Sequence, residues 1–502
     1  MSSRSHPLNS TDTTKMEKIM SDLMKNNDEL PKGWEWKRLG EIAEVVAGNP
    51  APQGEEYFRD GRYPFLRVQD MGRLGNDSYI YKTHDYINDK AVQSLRLFPK
   101  GSVLFTKSGA STLLNQRAIL GRDMFVVSHI AATIPHDGIM SEWLYYWLKT
   151  VDFNKLAHAT TLPSLPLSKA KDIHIPIAPP VEQKLIVSEI EKQFSRLDEA
   201  VAALKRVRAS LKRYKASVLK AAVEGKLTEE WRKENVGADL RVCPDSNKDR
   251  FAHTKYETGA DLLKRILAER KKKWEEANPK KKYKEPSAPD TSSLPELPKG
   301  WVWVALESVS DALGGYAFES KKFSISGFQI VKMANVKMSK IDLLQHPSFI
   351  SEVRPDILEK YILNTGDVIV TLTGTRKKRD YGYVAVVSSN LKALLNQRLA
   401  RLRPYKGLIP KYLEIAMQSE VYRNRFFSYE TGNVGQGNVG MGTVTKEPIA
   451  FPPYQEQQKI VEEIESRLSV AEEIEETIDI NLKRAERLRQ AILKKAFSGR
   501  LI

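Results

Sequence analysis

The sequence predicts an α+β protein made of two similar strand-rich domains and two long helices. Three observations support this prediction. The segment LPKGWEWKRLGEIAEVVAG, from Leu30, recurs as LPKGWVWVALESVSDALGG from Leu297. A turn followed by a β-branched segment, LFPKGSVLFTKSGA at 97–110, is matched by ILNTGDVIVTLTGT at 362–375. Each copy ends in a long segment with heptad spacing. Because whole motifs recur in the same order, an internal repeat explains them better than chance.

Each repeat opens with turn chemistry and continues as short strands. Pro fixes φ, Gly allows an unusual φ, and the following Trp anchors the chain that leaves the turn. Alternating apolar residues with frequent Gly and Pro are typical of strands joined by tight turns. A third match is LLNQR, at 113–117 and 394–398, and a short helix is predicted at 142–149 and at 411–418.

Each repeat closes with a long helix. PIAPPVEQKLIVSEIE (176–191) is echoed by PIAFPPYQEQQKIVEEIE (448–465). The Pro pair prevents helix upstream, and Gly225 and Gly499 are typical of helix ends. Heptad spacing predicts a coiled-coil seam in both, formed by Ile190, Leu197, Leu204, Leu211 and Val218, and by Ile464, Ala471, Ile478, Ala485 and Ile492. The natural partner of each helix is the other, but heptads alone allow parallel or antiparallel pairing. An antiparallel pair of ~40 residues would relate the domains by a pseudo-two-fold axis and separate them by ~60 Å.

The predicted organisation therefore has six parts. They are an N-terminal extension (1–29), a first strand-rich domain (30–180), a first helical spacer (181–232), a connector with one charged helix (233–296), a second strand-rich domain (297–453) and a second helical spacer (454–502).

Composition and charge indicate a polyanionic partner. The chain has 79 Lys and Arg against 63 Asp and Glu, a net charge of +16. This excess favours DNA or RNA first and a membrane surface second. No run of ~18 apolar residues and no secretory leader is present, so a soluble, cytoplasmic protein without membrane contact is expected. A single cysteine, Cys243, excludes internal disulfides, and the scattered histidines suggest no metal site.

The residues expected to contact DNA lie mostly in two loops of the second domain. The loop LTGTRKKRDYGYV (372–384) fits phosphate contacts and guanine edges, although an ordinary solvated hairpin tip has the same composition. The Gly-rich stretch 429–444 lacks the GK[ST] of a P-loop, so a loop that closes on DNA and a structural turn are equally good interpretations. LLNQR, with Asn115, Gln116 and Arg117, is more typical of a structural element, because both domains carry it. The candidate DNA-binding residues are Arg67, Lys107, Lys332, Arg376, Lys377, Lys378, Arg379, Asn433, Gln436 and Asn438.

Motifs for catalysis are missing. An amino-methyltransferase needs [DN]PP[YF], whereas FPPYQEQ has Phe451 in the place of the acid or amide. A nuclease needs spaced acidic residues and a lysine around a metal, and the set Asp356, Glu359 and Lys360 is too closely spaced. No Ser/His/Asp or Cys/His set repeats. The sequence therefore predicts no catalytic or metal residues.

Taken together, LPKGWxW, GDVIVTLTGT, LLNQR and the PPxxEQ helix ending in GxL resemble the specificity subunit of type I restriction-modification systems (the HsdS family). The resemblance covers roughly residues 30–232 and 297–502. It implies two target recognition domains, each reading one half of a bipartite asymmetric DNA target, and two helices packed antiparallel that set the spacing. It also implies a non-catalytic chain that recruits two modification (methyltransferase) subunits and two restriction (translocase and nuclease) subunits. Those partners, not this chain, would use S-adenosylmethionine, ATP and Mg²⁺.

Two other functions remain compatible with the residues. One is a stand-alone DNA methylase or nuclease, and the other is a coiled-coil scaffold whose charge is incidental. Salt-dependent DNA binding would separate a scaffold from a DNA-binding protein, since phosphate contacts make affinity fall steeply with salt.

Overall fold

The computed structural model of the chain describes residues 30–74, 77–109, 115–156, 164–236, 257–389, 391–433 and 435–502. The predicted N-terminal extension and Cys243 lie outside the described residues. The chain divides into two compact units. The first unit contains the described residues up to Arg206 together with Ile478–Ile502, and the second contains Val207–Thr477. No helix in the described part of the chain is long and apolar enough to cross a membrane.

The first unit is built from short strands and a few helices. Its described strands are Glu35–Arg38, Ala43–Ala47, Tyr63–Leu66, Tyr79–Ile80, Asp85–Ile87, Leu97–Phe98, Val103–Thr106, Arg117–Leu120, Met124–Val126, Ile130–Pro135 and His174–Ile177. Its described helices are Leu39–Ile42, Val68–Gly72, Asp89–Val92, Ser141–Thr150 and Leu167–Lys171, followed by the start of the first long helix, Pro180–Val223; 3₁₀ turns lie at Glu55–Tyr57 and Phe153–Lys155.

Two sheets organise this unit. The five-stranded sheet has Ile130–Pro135 antiparallel to both Ala43–Ala47 and Val103–Thr106. The four-stranded sheet pairs Tyr63–Leu66 in parallel with Met124–Val126. Strand Val103–Thr106 is buried at every residue, as its β-branched composition predicts.

The second unit repeats this plan. Its described strands are Val302–Ala305, Ser310–Gly314, Phe328–Val331, Val336–Lys337, Lys340–Ile341, Phe349–Ile350, Val368–Thr371, Thr373–Thr375, Val384–Val386, Ala393–Leu395, Leu399–Pro404, Gln436–Asn438 and Pro448–Phe451. Its described helices are Glu229–Val236, Gly259–Ala277, Leu306–Val309, Pro355–Tyr361, Pro410–Gln418, Glu420–Ser428, Met441–Lys446 and the start of the second long helix, Tyr454–Ala496; 3₁₀ turns lie at Ser320–Lys322 and Met333–Asn335.

The sheets of the second unit follow those of the first. Leu399–Pro404 is antiparallel to Ser310–Gly314 and to Val368–Thr371. Phe328–Val331 is parallel to Ala393–Leu395. The same pairing in both units confirms the internal repeat of α+β domains.

The repeated opening motif closes each unit onto its long helix. In the first unit, the strand Glu35–Arg38 pairs with His174–Ile177, and Trp34 Nε1 donates to Glu182 Oε2 at 2.7 Å. In the second, Val302–Ala305 pairs with Pro448–Phe451, and Trp301 Nε1 donates to Glu456 Oε2 at 2.7 Å. The duplicated Trp and Glu are therefore one structural joint used twice.

The glutamine of the repeated PPxxEQ motif serves the same joint. Gln183 Nε2 donates to Ala178 O at 2.8 Å, and its Oε1 accepts from Met140 N at 3.0 Å. Gln457 Nε2 donates to Pro452 O at 3.0 Å, and its Oε1 accepts from Ile409 N at 2.9 Å. Both side chains are fully buried. Because each satisfies backbone groups that would otherwise be buried unpaired, its repetition has a structural cause.

The two long helices pair antiparallel inside each unit. In the first unit, the end of the second helix packs on the start of the first: Phe194 lies under the Arg489 guanidinium, 4.9 Å from the ring centre. Asp198 forms an ion pair with the same arginine. In the second unit, Lys215 Nζ lies 2.7 Å from Glu475 Oε2. The seam residues Ile190, Val218, Ile464, Ala471, Ile478, Ala485 and Ile492 are buried. The predicted antiparallel coiled coil is confirmed.

The charged helix predicted in the connector is present as Gly259–Ala277 and packs on the second unit. Gly259 N donates to Gly300 O at 2.7 Å, and Leu262 and Ile266 are buried in the core. Tyr283, beyond the helix, contacts Trp274 in a tilted arrangement with ring centres 5.4 Å apart. The described end of the connector, from Gly259, is therefore packed against the second unit.

The LLNQR match is wrong as a structural repeat. In the first unit, Asn115–Arg117 leads into the strand Arg117–Leu120, which lies beside Val103–Thr106. In the second, Leu394–Arg398 ends the strand Ala393–Leu395 and enters Leu399–Pro404. The structural counterpart of Asn396–Arg398 is Val127–His129, because Val127 N donates to Leu66 O as Asn396 N donates to Val331 O. The described residues of the first copy, Asn115–Arg117, therefore occupy a different place in the fold from Asn396–Arg398.

Candidate nucleic-acid interface

The two loops predicted to contact DNA form one surface of the second unit. Strand Thr373–Thr375 is antiparallel to Gln436–Asn438, with Thr375 opposite Gln436. Arg376 N donates to Gly435 O at 3.2 Å, which extends the pairing into the basic turn. The structure thereby brings together Arg376, Lys377, Lys378, Arg379, Asn433, Gln436 and Asn438.

A carboxylate fixes the base of the basic turn. Glu430 Oε2 accepts from Arg376 Nε at 2.8 Å, and Glu430 Oε1 accepts from the Tyr381 hydroxyl. The Tyr381 hydrogen bond, followed by Arg376, holds the pKa of Glu430 below its usual range. Burial and the same carboxylate raise the pKa of Tyr381. Arg376 is therefore an internal partner of the hairpin, with its guanidinium half turned to solvent.

All four cations of the turn are exposed, but Arg376 and Arg379 engage partners within the unit. Arg379 adopts φ +48°, and its guanidinium lies 4.9 Å from the centre of the Phe427 ring. Asp380 Oδ1 accepts from Thr375 N at 2.6 Å and closes the turn. Lys377 and Lys378 are exposed at its tip. Flexible lysines on a fixed turn suit phosphate contacts, which need charge and little geometry.

The glycines of the second loop have specific structural causes. A Cβ on Gly437 would lie 2.3 Å from both the Tyr381 hydroxyl and Glu430 Oε1, so a side chain there would displace the hydrogen bond between these two groups. Gly432 and Gly435 have φ of +116° and +106°. Asn438 Oδ1 accepts from Thr373 Oγ1 at 3.0 Å, whereas Asn433 and Gln436 are exposed. Of the three predicted amides, Asn438 has its side chain engaged inside the hairpin.

A cleft of about 450 Å³ lies beside this hairpin. Its lining includes Lys337, Thr375, Tyr383, Arg398, Gly435 and Gln436. Arg398 and Lys337 add two exposed cations that sequence reasoning missed. The repetition of LLNQR favours a structural role for Arg398, but Arg117 is not the structural counterpart of Arg398. The only sequence signal for Lys337 was its place a few residues beyond Lys332.

Arg67 and Lys332 occupy equivalent positions, and both engage partners within their own unit. Each follows a strand, and its backbone N–H donates at 2.9 Å to a side chain three residues later, Asp70 or Asn335. The Arg67 guanidinium pairs with Asp85, and Lys332 Nζ donates to Ser348 Oγ at 2.5 Å. Their cationic groups are therefore already partnered in the free protein.

Lys107 has a backbone role in the first unit. Its N–H donates to His129 O at 3.0 Å, and its side chain is half-buried. The segments that would complete a matching hairpin, 110–114 and 157–163, lie outside the described residues.

The structural role predicted for Asn115 and Arg117 agrees with their contacts. Arg117 Nη2 donates to Asn115 Oδ1 at 2.8 Å, and its guanidinium lies 3.7 Å from the centre of the Phe153 ring. Burial lowers the pKa of Arg117 to about 9. Asn115 Oδ1 also accepts from Phe153 N at 3.1 Å, so the pair holds this loop onto the domain.

Comparisons with known proteins also find two copies of one domain in this chain. A family model described as "Type I restriction modification DNA specificity domain" matches residues 31–212 and again residues 298–484. The EcoKI specificity subunit of Escherichia coli K12 is 23% identical over 488 residues, covering 94% of this chain and 90% of the relative. The MjaIX specificity subunit of Methanocaldococcus jannaschii is 30% identical over 224 residues, covering 38% of this chain and 50% of the relative.

A solved structure shares the fold over nearly the full length. It comes from a study of complex assembly and conformational transition of the type I R-M system, and covers 94% of this chain and all of its own with a TM-score of 0.63 at 17% identity. Two copies of the family's domain, covering most of the chain, account for the repeated joints and sheets. The chain belongs to the family of type I restriction-modification DNA specificity subunits.

Proposed function

We propose that this chain is the DNA sequence-specificity subunit of a type I restriction-modification complex, in which each unit reads one half of a bipartite asymmetric target. The observation that carries the proposal is the pattern of what the two units share. They share the Trp–Glu joint, the buried glutamine and the sheet pairing. They differ in the sequence that follows the matched strand, which is TRKKRD (375–380) in the second unit and ASTLLN (110–115) in the first. A common scaffold with different exposed surfaces is what reading two different half-sites requires.

Affinity and specificity have separate sources in this proposal. Exposed cations such as Lys377 and Lys378 neutralise phosphates and release counterions, which gives salt-dependent binding without sequence preference. Polar side chains along the cleft, including Gln436 and Arg398, contact base edges. The long helices, of 44 and 43 residues, set the number of unread base pairs between the half-sites.

The chain itself performs no chemistry in this proposal. It recruits two modification subunits, which methylate adenine with S-adenosylmethionine, and two restriction subunits, which use ATP and Mg²⁺. The names of its relatives, as specificity subunits of restriction enzymes, support this assignment of roles. A cytoplasmic location follows from a target in cellular DNA.

Methylome sequencing tests the proposal. A host that lacks DNA methylation expresses this chain together with its partner modification subunit. In two control strains, each of the two proteins is expressed alone. We expect a bipartite, asymmetric N6-methyladenine motif only when both are present. Methylation by this chain alone would reveal an active site of its own, and absence of any motif with both would favour the scaffold.

The spacing role has its own test. Deleting one heptad from both long helices is expected to change the unread spacer while both half-sites keep their sequences. An unchanged spacer would contradict the role given to the helices.

A further inference from the structure

The two units place one turn at the same position and give it different chemistry. The turn is Val127–His129 in the first unit and Asn396–Arg398 in the second. In each it links the strand that pairs in parallel, Met124–Val126 or Ala393–Leu395, to the long antiparallel strand. We call these segments the first and second linking turns.

Matched backbone hydrogen bonds establish the equivalence residue by residue. Lys107 N donates to His129 O at 3.0 Å, and Leu372 N donates to Arg398 O at 2.8 Å. Gly48 N donates to Ile130 O, and Gly315 N donates to Leu399 O, both at 2.9 Å. His129 and Arg398 therefore occupy one position in the repeated fold.

Each linking turn is clamped by a glycine. A Cβ on Gly48 would lie 2.3 Å from Val127 O, and a Cβ on Gly315 would lie 1.9 Å from Asn396 O. Backbone oxygens at these distances leave no room for any side chain. Both units thus hold the turn closely against a neighbouring strand. This packing fixes the backbone from which His129 or Arg398 projects, two residues after the clamped carbonyl. Such rigid support is what a side chain that reads a base edge needs.

The side chains at the matched position are exposed and different. Arg398 has φ +70°, an uncommon conformation for arginine, and lines the cleft beside Gln436 and Tyr383. His129 is exposed, and its Nδ1 lies 2.8 Å from Ser108 Oγ, at the position that Thr373 occupies in the second unit. The Trp and Gln of the shared joint are identical in the two units, whereas a side chain that distinguishes the two half-sites is expected to differ.

We propose that the linking-turn position determines specificity in both units, and that Arg398 recognises a guanine in the half-site read by the second unit. This inference rests on the proposed function and assigns a base class to it. The arginine fork donates to guanine O6 and N7 together, which no other base pair accepts in the major groove. Gln436, across the cleft, is placed to contact the neighbouring base pair or its phosphate. His129 takes the corresponding place in the first half-site.

The test uses methylome sequencing of the complex formed with the modification subunit. We compare the original chain with R398K, R398G and H129A. Glycine adopts positive φ freely, so R398G removes the side chain without straining the turn. Lysine keeps the charge but loses the two-pronged geometry. We expect both Arg398 variants to lose discrimination at one G·C pair of the second half-site by about 10- to 100-fold, with the first half-site intact. H129A should change only the first half-site.

Competition binding with duplexes substituted at each base pair gives a second measurement. The proposal predicts that R398G binds the original duplex and the duplex altered at that G·C pair equally well. Uniformly weaker binding with an unchanged motif would mean that Arg398 contacts phosphate, and would overturn the proposal. Complete loss of binding by R398G, with R398K recognising the original motif, would overturn it as well. If the original chain produces no bipartite motif, the proposed function itself fails. If the original chain produces one and the variants produce the same motif, this inference alone fails.

Discussion

Replacing Glu456 by alanine should destabilise the second unit far more than the equivalent change, Glu182→Ala, destabilises the first. The two residues close the same joint, but their surroundings differ. Glu456 is fully buried, and its Oε1 accepts from Thr228 Oγ1 at 2.7 Å and from Arg232 Nη2 at 2.7 Å, in addition to the Trp301 bond on Oε2. Glu182 is half-buried and accepts from Trp34.

The magnitudes follow from what each substitution leaves behind. E456A leaves the Arg232 guanidinium, 14% exposed, without its anion. Removing one partner of a buried pair costs about 3 to 5 kcal/mol, and partial exposure of Arg232 favours the lower figure. E182A removes one hydrogen bond to a charged but partly exposed carboxylate, a loss of about 1.5 kcal/mol. The expected difference between the variants is about 1.5 kcal/mol or more.

Native-state hydrogen exchange measures each joint separately, which a single melting curve of a two-unit chain would not. The reporters are the amides of strands Val302–Ala305 and Pro448–Phe451 in the second unit, and of Glu35–Arg38 and His174–Ile177 in the first. We expect E456A to lower protection only in the second pair, and E182A to lower it modestly in the first pair. Equal losses in the two variants would refute the reasoning that Arg232 makes Glu456 the more costly residue to remove.

Three further outcomes follow from the structure. K377Q/K378Q should reduce the slope of log affinity against log salt by about 2 and leave the methylation motif unchanged, since each phosphate contact contributes about 0.9; an altered motif in methylome sequencing would contradict a phosphate role. G315A should prevent the second linking turn from packing against its neighbouring strand, because the added Cβ would lie 1.9 Å from Asn396 O. The control G440A, whose Cβ would meet no atom within 4 Å, should change thermal stability little. Equal melting temperatures for the two variants would refute the role of Gly315. Because the folded protein lowers the pKa of Glu430, the stabilising contribution of this carboxylate is present above its unfolded pKa and is lost as pH falls through the lower folded value. Exchange protection of Gln436–Asn438 should therefore decline below about pH 4, and E430Q should abolish this decline. An unchanged pH profile in E430Q would contradict this role of Glu430.

Much of the architecture was readable from local pattern. Heptad spacing at Ile464, Ala471 and Ile478 predicted a buried seam because side chains seven apart lie on one face of a helix. The segment at 103–106 and its mate at 368–371 predicted short strands, and the structure shows that both are fully buried. The repeated Trp and PPxxEQ motifs predicted an internal repeat, but not that the two motifs would meet through a bond from the indole to the glutamate.

The candidate interface was only partly predictable. The sequence pointed to the loops at 376–379 and 433–438, since basic and Gly-rich segments between strands are readable as such. It did not distinguish Lys377, which is exposed, from Arg376, which Glu430 engages from 54 residues away. Ion pairing between distant segments depends on the order of the strands in the sheet. The composition of a single loop does not determine that order.

By itself, the sequence determined that two copies of one strand-rich domain alternate with two long amphipathic helices, because periodicity and repetition are properties of neighbouring residues. The tertiary structure decided that the helices run antiparallel, that the LLNQR match is a coincidence of letters, and that Arg398 shares its position with His129. Each of these depends on which distant backbone groups pair. In particular, Gly48 and Gly315 bring strands far apart in the chain within hydrogen-bonding distance of the linking turns.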